Sequence, residues 1–221
     1  MKGRINAACS AAGRDANKVT LLAVSKTRPA DDVRAALAAG QRAFGENYVQ
    51  EALAKIEALG DRRADIEWHL IGPLQSNKTR VVAEHFDWVH TIDRLKLAER
   101  LAAQRPEALP PLQVTLQVNI SGESSKHGVA PADVPALAVA VAALPARRLV
   151  LRGLMAIPAP ADDPVAQRRP HRALRELLQA LNGQGLSLDT LSMGMSDDLE
   201  AAVAEGSTLL RIGTALFGRR G

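Results

Sequence analysis

Cysteine is nearly absent from this sequence: Cys9 is the single one among 221 residues, so an internal disulfide cannot form. Long apolar runs are absent too, and the first 15 residues lack the apolar core of a signal peptide. A lone cysteine is typical of proteins in reducing compartments. These absences argue against a disulfide-held secreted domain and against a membrane span, and they predict a cytoplasmic protein.

Aromatic residues are also scarce, with three Phe, two Trp and one Tyr, and 28 basic residues stand against 24 acidic ones. The arginines are scattered rather than arranged in a stripe between aromatic residues, so a nucleic-acid surface is not indicated. Zinc binding is not indicated either, because the histidines have no ligand spacing with nearby carboxylates or with Cys9. These histidines are His69, His85, His90, His127 and His171.

Short apolar runs alternate with Ala/Leu-rich segments along the whole chain. The runs occupy 19–25, 42–47, 66–72, 87–92, 112–120, 148–157, 188–193 and 208–213. Because most of them are continuously apolar, they favour parallel strands covered by helices. Eight such units in this length predict a (β/α)₈ TIM barrel that spans residues 1–221 as a single domain. The alternative is a doubly wound open sheet, but the first run is followed by "KTRPADD", without the glycine-rich turn typical of that fold.

Helical spacing is clear in the segments between the runs. In the second of them, Val49, Leu53 and Ile56 are expected to share one buried face. A helix is predicted over 131–144, with Pro135 accommodated in its first turn. The segment 163–181 is also predicted to be helical, with a bend or restart near Pro170. Both tryptophans fall within strand patterns and are expected in the core.

Glycine and hydroxyl residues follow the last two predicted strands. In a TIM barrel, the loops after strands seven and eight often bind phosphate through backbone N–H groups. Gly194 and Gly213 would let the backbone approach an anion, and Ser196 and Thr214 can donate hydroxyl hydrogen bonds. The alternative is that the glycines are turn residues and Ser196 caps a helix.

Two carboxylates complicate this phosphate site. Asp197 and Asp198 follow Ser196 directly, and both would repel a phosphate unless they point away from it.

Lys26 ends the first apolar run, in "TLLAVSKTRP". A partly dehydrated lysine has a lowered pKa and can form an imine with an aldehyde. An imine-forming lysine opposite a phosphate site suggests pyridoxal 5′-phosphate (PLP). The alternative is that the Lys26 side chain extends to solvent.

Arg211 lies inside the eighth apolar run, "LLRIG", where a guanidinium needs a partner. A pyridine nitrogen is one candidate partner. The carboxylate of Glu46 is another.

Six motifs together resemble one family. They are "LLAVSKTRP", "FGENYVQEALAKI", "WHLIGPLQSNK", "VNISGESSKHGV", "LRGLMAIPAP" and "LSMGMSDDLEAAVAEGSTLLRIGTALFG". In this order they are similar to the pyridoxal phosphate homeostasis proteins, also called the proline synthase co-transcribed family. These are single-domain relatives of the barrel of alanine racemase. The resemblance extends from about Ile5 to Gly218.

The resemblance implies a role for each matching residue. Lys26 would carry PLP as an imine, and Ser196, Gly213 and Thr214 would bind its phosphate. Arg211 would face the pyridine nitrogen and keep it unprotonated, which makes the ring a poor electron sink. The family is regarded as a carrier and regulator of the cofactor, so the implied function is PLP homeostasis without efficient catalysis. The implied partners are PLP and PLP-dependent apo-enzymes.

Further residues follow from the same comparison. Asn47 and Met195 are implied neighbours of the ring. Lys126 matches a family lysine that could assist cofactor loading or release, although a solvated loop lysine is the simpler interpretation. Whether a second PLP site exists near Lys126 is left open by the sequence. The family often has lysine where this chain has Arg28.

Two catalytic alternatives remain. The first is a weak racemase, which needs an acid/base group on each face of the substrate. The single tyrosine, Tyr48, lies at the start of a predicted helix, and no added β-domain follows the eighth unit, so a monomer is expected. The second is an aldolase-type lyase, in which the lysine usually follows a middle strand rather than the first.

Overall fold

The fold is a closed barrel of parallel strands. A computed structural model describes residues 1–123 and 127–218, and within them the eight strands are hydrogen-bonded in chain order. β1 pairs with both β2 and β8, which closes the barrel and confirms the (β/α)₈ prediction over the open sheet. The strands are β1 Thr20–Val24, β2 Ala43–Glu46, β3 Glu67–Leu70, β4 Trp88–Ile92, β5 Leu112–Gln117, β6 Leu149–Met155, β7 Thr190–Ser192 and β8 Leu209–Ile212.

Helices cover the outside of the barrel. They are α1 Lys2–Ala11, α2 Ala30–Ala38, α3 Val49–Ala58, α4 Thr79–His85, α5 Leu95–Gln104, α6 Val134–Ala142, α7 Pro164–Gly183, α8 Leu199–Ala204 and α9 Thr214–Phe217. Pro135 lies in the first turn of α6, as predicted. The predicted restart at Pro170 is wrong, because α7 continues through it. The buried residues Leu174, Leu178 and Leu181 hold the rest of α7 against the barrel.

The strands bury two different faces. Phe44, Trp68 and Val89 face outward and join the large core beneath the helices. A separate, smaller apolar cluster contains Leu22 and Leu209 and lies on the other face of the strands. Both tryptophans are buried, which confirms their predicted place in the core. Among the described residues, the structure contains no helix long and apolar enough to span a membrane.

Candidate functional site

Lys26, Gly213 and Thr214 line one small cavity of about 40 Å³ at the C-terminal ends of β1 and β8. Arg28 and Gly218 also line it, and Arg28 Nη2 donates to the Gly218 carbonyl at 2.5 Å. The C-terminal ends of barrel strands are where TIM-barrel enzymes place their functional groups. The two halves of the predicted site, the lysine and the residues after β8, therefore lie together.

The turn that carries Lys26 has an unusual backbone. Arg28 N–H donates to the Ser25 carbonyl at 3.0 Å, which closes a four-residue turn. Its third residue, Thr27, has a φ of +62°, a region that β-branched residues strongly avoid. Thr27 N–H donates to Glu51 Oε1 at 2.5 Å. Strain of this kind persists where the surrounding structure imposes it, and it is common at ligand sites.

A buried lysine holds this turn from below. Lys55 is 5% exposed, and its Nζ donates to the Ser25 carbonyl at 2.6 Å. The same Nζ lies 2.7 Å from Glu46 Oε1 and 2.7 Å from Glu51 Oε1. Ser25 Oγ also donates to Glu46 Oε1, at 2.6 Å. We call Ser25, Glu46, Glu51 and Lys55 the lysine clamp, because together they attach the Lys26 turn to α3.

Sequence patterns do not reveal the lysine clamp. The predicted face of α3 was Val49, Leu53 and Ile56, but the buried residues of α3 are Ala52, Lys55 and Ile56. The Glu51–Lys55 spacing of four residues was a visible signal, but such pairs are usually solvent-exposed. Lys55 is buried because the closed barrel places α3 against the Lys26 turn, and the sequence spacing does not predict this.

Glu46 has an unusual protonation equilibrium. Burial raises the pKa of its carboxyl above the ordinary value, and hydrogen bonds from Lys55 and Ser25 only partly oppose this. Glu46 Oε2 is buried and has no hydrogen-bond partner among residues 1–123 and 127–218.

Arg211 is 5% exposed and points into the barrel. Its Nη1 donates to the Ser192 carbonyl at 2.5 Å and to Ser192 Oγ at 2.8 Å, while Nη2 donates to the Ala156 carbonyl at 2.8 Å. The alternative pairing with Glu46 is therefore wrong. Burial lowers the pKa of Arg211 to about 10, opposed by Asp198, so the group is a cation at neutral pH. A guanidinium has five N–H donors, so two are not used by the described residues.

The loop after β7 is held from both sides. Gly194 has a φ of +93°, and a Cβ there would lie 2.4 Å from Ala202 Cβ, so only glycine fits. Arg4 Nη1 donates to the Ser196 carbonyl at 2.8 Å. The alternative that Ser196 caps the next helix is wrong, because α8 begins at Leu199.

Asp198 points away from the mouth, towards α7. Its Oδ2 lies 2.9 Å from His171 Nε2, and its Oδ1 accepts a hydrogen bond from Met195 N–H at 2.6 Å. Burial raises the pKa of Asp198, but these hydrogen bonds outweigh it and the pKa is lowered. Asp198 is thus occupied in fixing the loop at Met195, which removes one of the two predicted objections to an anion site here. Asp197 is exposed.

Asn47 follows β2 at the same end of the barrel. Its Oδ1 is buried and has no hydrogen-bond partner within the described part of the chain. A Cβ at Gly72 would lie 2.1 Å from the Asn47 carbonyl oxygen, so the absence of a side chain there sets the position of Asn47. A buried acceptor without a partner is costly and is often satisfied by a ligand.

Two other predictions have limited outcomes. Lys126 lies outside the described residues. Among the described residues, no group of three or more His, Cys, Asp or Glu side chains is placed to hold a metal ion.

The family model "Alanine racemase, N-terminal domain" matches residues 3–221 of the chain. Alanine racemase of Corynebacterium glutamicum has a similar fold, with a TM-score of 0.69 at 20% identity. The match covers 97% of this chain and 59% of that one. The barrel and its mouth therefore define an alanine racemase-like domain.

Relatives with higher sequence identity show to which family of alanine racemase-like domains the chain belongs. The "Pyridoxal phosphate homeostasis protein" of Pseudomonas aeruginosa is 64% identical over 98% of this chain and 91% of that protein. The protein of the same name in Escherichia coli K12 is 55% identical, over 100% of this chain and 94% of that protein. PipY of Synechococcus elongatus, solved with PLP bound, is 41% identical with a TM-score of 0.84, over 99% of this chain and 100% of that chain. The chain belongs to the pyridoxal phosphate homeostasis protein family, as the motifs predicted.

Proposed function

We propose that this chain binds PLP at the mouth of the barrel, with Lys26 forming an imine with the cofactor aldehyde, and that it acts in intracellular PLP homeostasis. The observation that carries the proposal is the cavity shared by Lys26, Gly213 and Thr214. It brings an amine next to a backbone that an anion can approach. The PLP-bound structure of PipY, a relative at 41% identity, supports the same ligand.

The residues present fit the phosphate of PLP. Gly213 has no side chain, so an anion can approach its backbone without meeting a Cβ. A Cβ there would also come within 3.3 Å of the Val24 carbonyl oxygen. Thr214 is exposed beside it and can donate its hydroxyl, and Ser196 supplies a second hydroxyl from the loop after β7.

The residues also fit the ring of PLP. Within the described part of the chain, Arg211 has two N–H donors left that could serve the pyridine nitrogen, and Asn47 has a buried acceptor without a partner. Met195 is 38% exposed and offers apolar surface at the same end of the barrel.

The same site argues for carriage rather than efficient catalysis. Bound PLP is a weaker electron sink when its ring nitrogen is unprotonated. Arg211 is a cation at neutral pH, so it would donate a hydrogen bond to that nitrogen without transferring the proton. Racemization also needs a second acid/base group. Tyr48, the single tyrosine, is 59% exposed and precedes α3, so it does not reach into the barrel. We therefore rank weak racemization below the carrier function.

The imine is tested by absorbance and mass spectrometry of the purified chain after addition of PLP. Borohydride should fix one phosphopyridoxyl group onto Lys26. Lys26→Ala should lose the imine band, whereas Lys18→Ala, an exposed lysine at the opposite end of the barrel, should retain it. A modified residue other than Lys26, or equally tight binding by Lys26→Ala, would overturn the assignment.

The carrier function is tested by transfer. The PLP-loaded chain should activate a PLP-dependent apo-enzyme while turning over no amino acid itself. Rapid racemization of alanine by the chain alone contradicts the proposal. We also propose that the chain is a monomer in the cytoplasm, which sedimentation analysis and cell fractionation can check.

A further inference from the structure

A continuous chain of hydrogen bonds crosses the interior of the barrel. Glu67 Oε1 lies 2.7 Å from His69 Nε2, and His69 Nδ1 lies 2.9 Å from His90 Nε2. His90 Nδ1 lies 2.8 Å from Ser192 Oγ, which lies 2.8 Å from Arg211 Nη1. We call these five residues the interior chain. It connects β3 and β4 with β7 and β8 across the barrel.

The two ends of the interior chain are in different environments. Arg211 is near the C-terminal end of β8, at the mouth. Glu67 is the first residue of β3, at the opposite end, where its side chain is 49% exposed and lines three surface cavities. The residues between them are buried, and Trp88 stacks on the His69 ring at 5.4 Å. The interior chain thus joins solvent at the bottom to the buried cation at the mouth.

The donors of the interior chain have one direction. A carboxylate only accepts, so His69 Nε2–H donates to Glu67. In neutral His69, Nδ1 is then an acceptor, and His90 Nε2–H donates to it. His90 Nδ1 in turn accepts the Ser192 hydroxyl proton, and Ser192 Oγ accepts from Arg211. Every donor therefore points away from Arg211 and towards Glu67.

The reverse direction is less consistent with the structure. If His90 Nδ1–H donated to Ser192 Oγ, the hydroxyl proton of Ser192 would need another acceptor. Among the described residues, Ser192 Oγ has hydrogen bonds only with His90 and Arg211, and Arg211 cannot accept. A doubly protonated His90 is also disfavoured, because burial, His69 and Arg211 all hold its pKa well below the ordinary value.

Arg211 needs such a connection. Within the described part of the chain, its hydrogen bonds go to Ser192 and Ala156, and none goes to a carboxylate. Asp198 favours the charged form of Arg211 but makes no hydrogen bond with it among the described residues, and a buried guanidinium is costly unless it is both paired and hydrogen-bonded. Hydrogen bonds in series polarise one another at low dielectric, so a carboxylate at the far end strengthens the acceptor that Arg211 meets.

We propose that Glu67 is the remote carboxylate partner of Arg211, and that His69, His90 and Ser192 are positioning residues that hold the guanidinium in the orientation in which it meets the ring nitrogen. The proposal rests on the proposed PLP site for its purpose. The direction of the hydrogen bonds in the interior chain, however, is a property of the protein without ligand, and it can be tested separately.

The first test is ¹⁵N NMR of the histidine rings in the ligand-free chain at about pH 8, where an ordinary imidazole is neutral. Both His69 and His90 should be Nε2–H tautomers. A His90 ring protonated at Nδ1 would overturn the proposed direction. This measurement does not depend on PLP binding, so it distinguishes failure of the interior chain from failure of the proposed function.

The second test is Glu67→Gln, followed through the guanidinium ¹⁵N resonances of Arg211. The resonances should shift although the substitution lies at the other end of the barrel. Glu57→Gln, at an exposed position on α3, removes the same charge and should leave them unchanged. An equal shift in both variants would contradict the connection.

Ser192 provides the decisive comparison. In a Ser192→Ala background, Glu67→Gln should have no further effect on Arg211, because the interior chain is already cut. Ser192→Thr retains the hydroxyl and should retain the response. With PLP bound, Glu67→Gln should weaken affinity roughly threefold to tenfold, as for coupled residues in one network. A Glu67→Gln effect that persists in the Ser192→Ala background would overturn the proposal.

Discussion

The backbone conformation of Thr27 and the hydrogen bond from Lys55 to Ser25 together fix the position of the Lys26 backbone. A left-handed conformation at a residue other than glycine costs about 1 to 3 kcal/mol, and Thr27 adopts it beside Lys26. The lysine clamp supports that conformation, because Glu51 accepts the Thr27 N–H while Lys55 binds the Ser25 carbonyl. A single turn is thus held by charges that lie outside the barrel wall, beneath α3.

Replacing Lys55 by methionine should expose how strongly this support acts. Breaking a buried ion pair by removing one partner costs about 3 to 5 kcal/mol, because Glu46 is left as an unpaired buried charge. The free energy of unfolding from urea titration should fall by that amount. Lys96→Met, at an exposed position, should change it by less than about 0.5 kcal/mol.

The stability loss of Lys55→Met should also depend on pH in a definite direction. The pKa of Glu46 is higher in the folded chain than the unfolded value of 4.5. Protonation of Glu46 therefore stabilises the folded chain below pH 4.5, and this stabilisation is lost as the pH rises through the folded pKa. In Lys55→Met that pKa rises further. The stability deficit of the variant should therefore shrink as the pH falls from about 8 to about 5. A deficit independent of pH would contradict the role assigned to Glu46.

At the scale of elements, the close approach of the loops after β2 and β3 positions Asn47. A Cβ at Gly72 would overlap the Asn47 carbonyl oxygen, and backbone cannot move aside as a side-chain tip can. Gly72→Ala should therefore separate the two loops, lower the free energy of unfolding and weaken PLP binding. Gly60→Ala is the matched control, since a Cβ there meets no described atom within 4 Å. Equal behaviour of the two variants in thermal unfolding and PLP titration would show that the approach is unimportant.

The contact between α7 and the end of α8 depends on one carboxylate. The Glu205 side chain is 1% exposed and accepts from Arg168 at 2.7 Å, Arg172 at 3.1 Å and Arg175 at 2.7 Å. Burial raises the pKa of Glu205, but these arginines outweigh it and lower the pKa below the ordinary value. The ionised carboxylate therefore contributes stability above about pH 4.5, and this is lost as the pH falls through the folded value.

Glu205→Gln should remove that contribution. We expect a loss of about 2 kcal/mol at neutral pH, as for hydrogen bonds to a charged group. The difference between the variant and the unmodified chain should narrow below about pH 4. Urea unfolding at several pH values measures both, with Glu57→Gln as the exposed control. A difference that stays constant down to acid pH would be inconsistent with the ion pairs.

Sequence patterns predicted the elements better than the contacts between them. All eight strands fall within the predicted apolar runs, because burial between helices and barrel interior demands continuous apolar residues. The sequence does not reveal the role of Lys55, because its partners come from β2, from the turn after β1 and from its own helix, and only the folded chain brings them together. His69 and His90 carry no spacing signal, since His69 contacts His90 from the neighbouring strand and His90 contacts Ser192 across the barrel, from a distant part of the chain.

At the scale of the whole molecule, neighbouring strands of the barrel are paired over unequal lengths. β5 and β6 are paired from Leu112↔Leu149 to Gln117↔Met155, whereas the register of β7 with β8 is the single pair Ser192↔Leu209. The hydrogen bond from Arg211 N–H to the Gly194 carbonyl, 3.0 Å, extends this junction to the loop after β7. The β7–β8 junction, which has the shortest register of the described barrel, thus lies beneath the proposed phosphate site, where a ligand would touch both sides.

Amide hydrogen exchange should reveal this unevenness. Local opening has a lower free energy where fewer backbone hydrogen bonds must break, so the amides of Met193 and Arg211 should exchange faster than those of Val114 and Leu116. In the proposed site, PLP would contact both sides of the closed junction, so saturating PLP should slow exchange at Met193 and Arg211 most. The Lys26→Ala chain is the control and should show much less protection at the same PLP concentration. Uniform protection around the barrel would mean that the cofactor stabilises the fold as a whole rather than by joining β7 to β8.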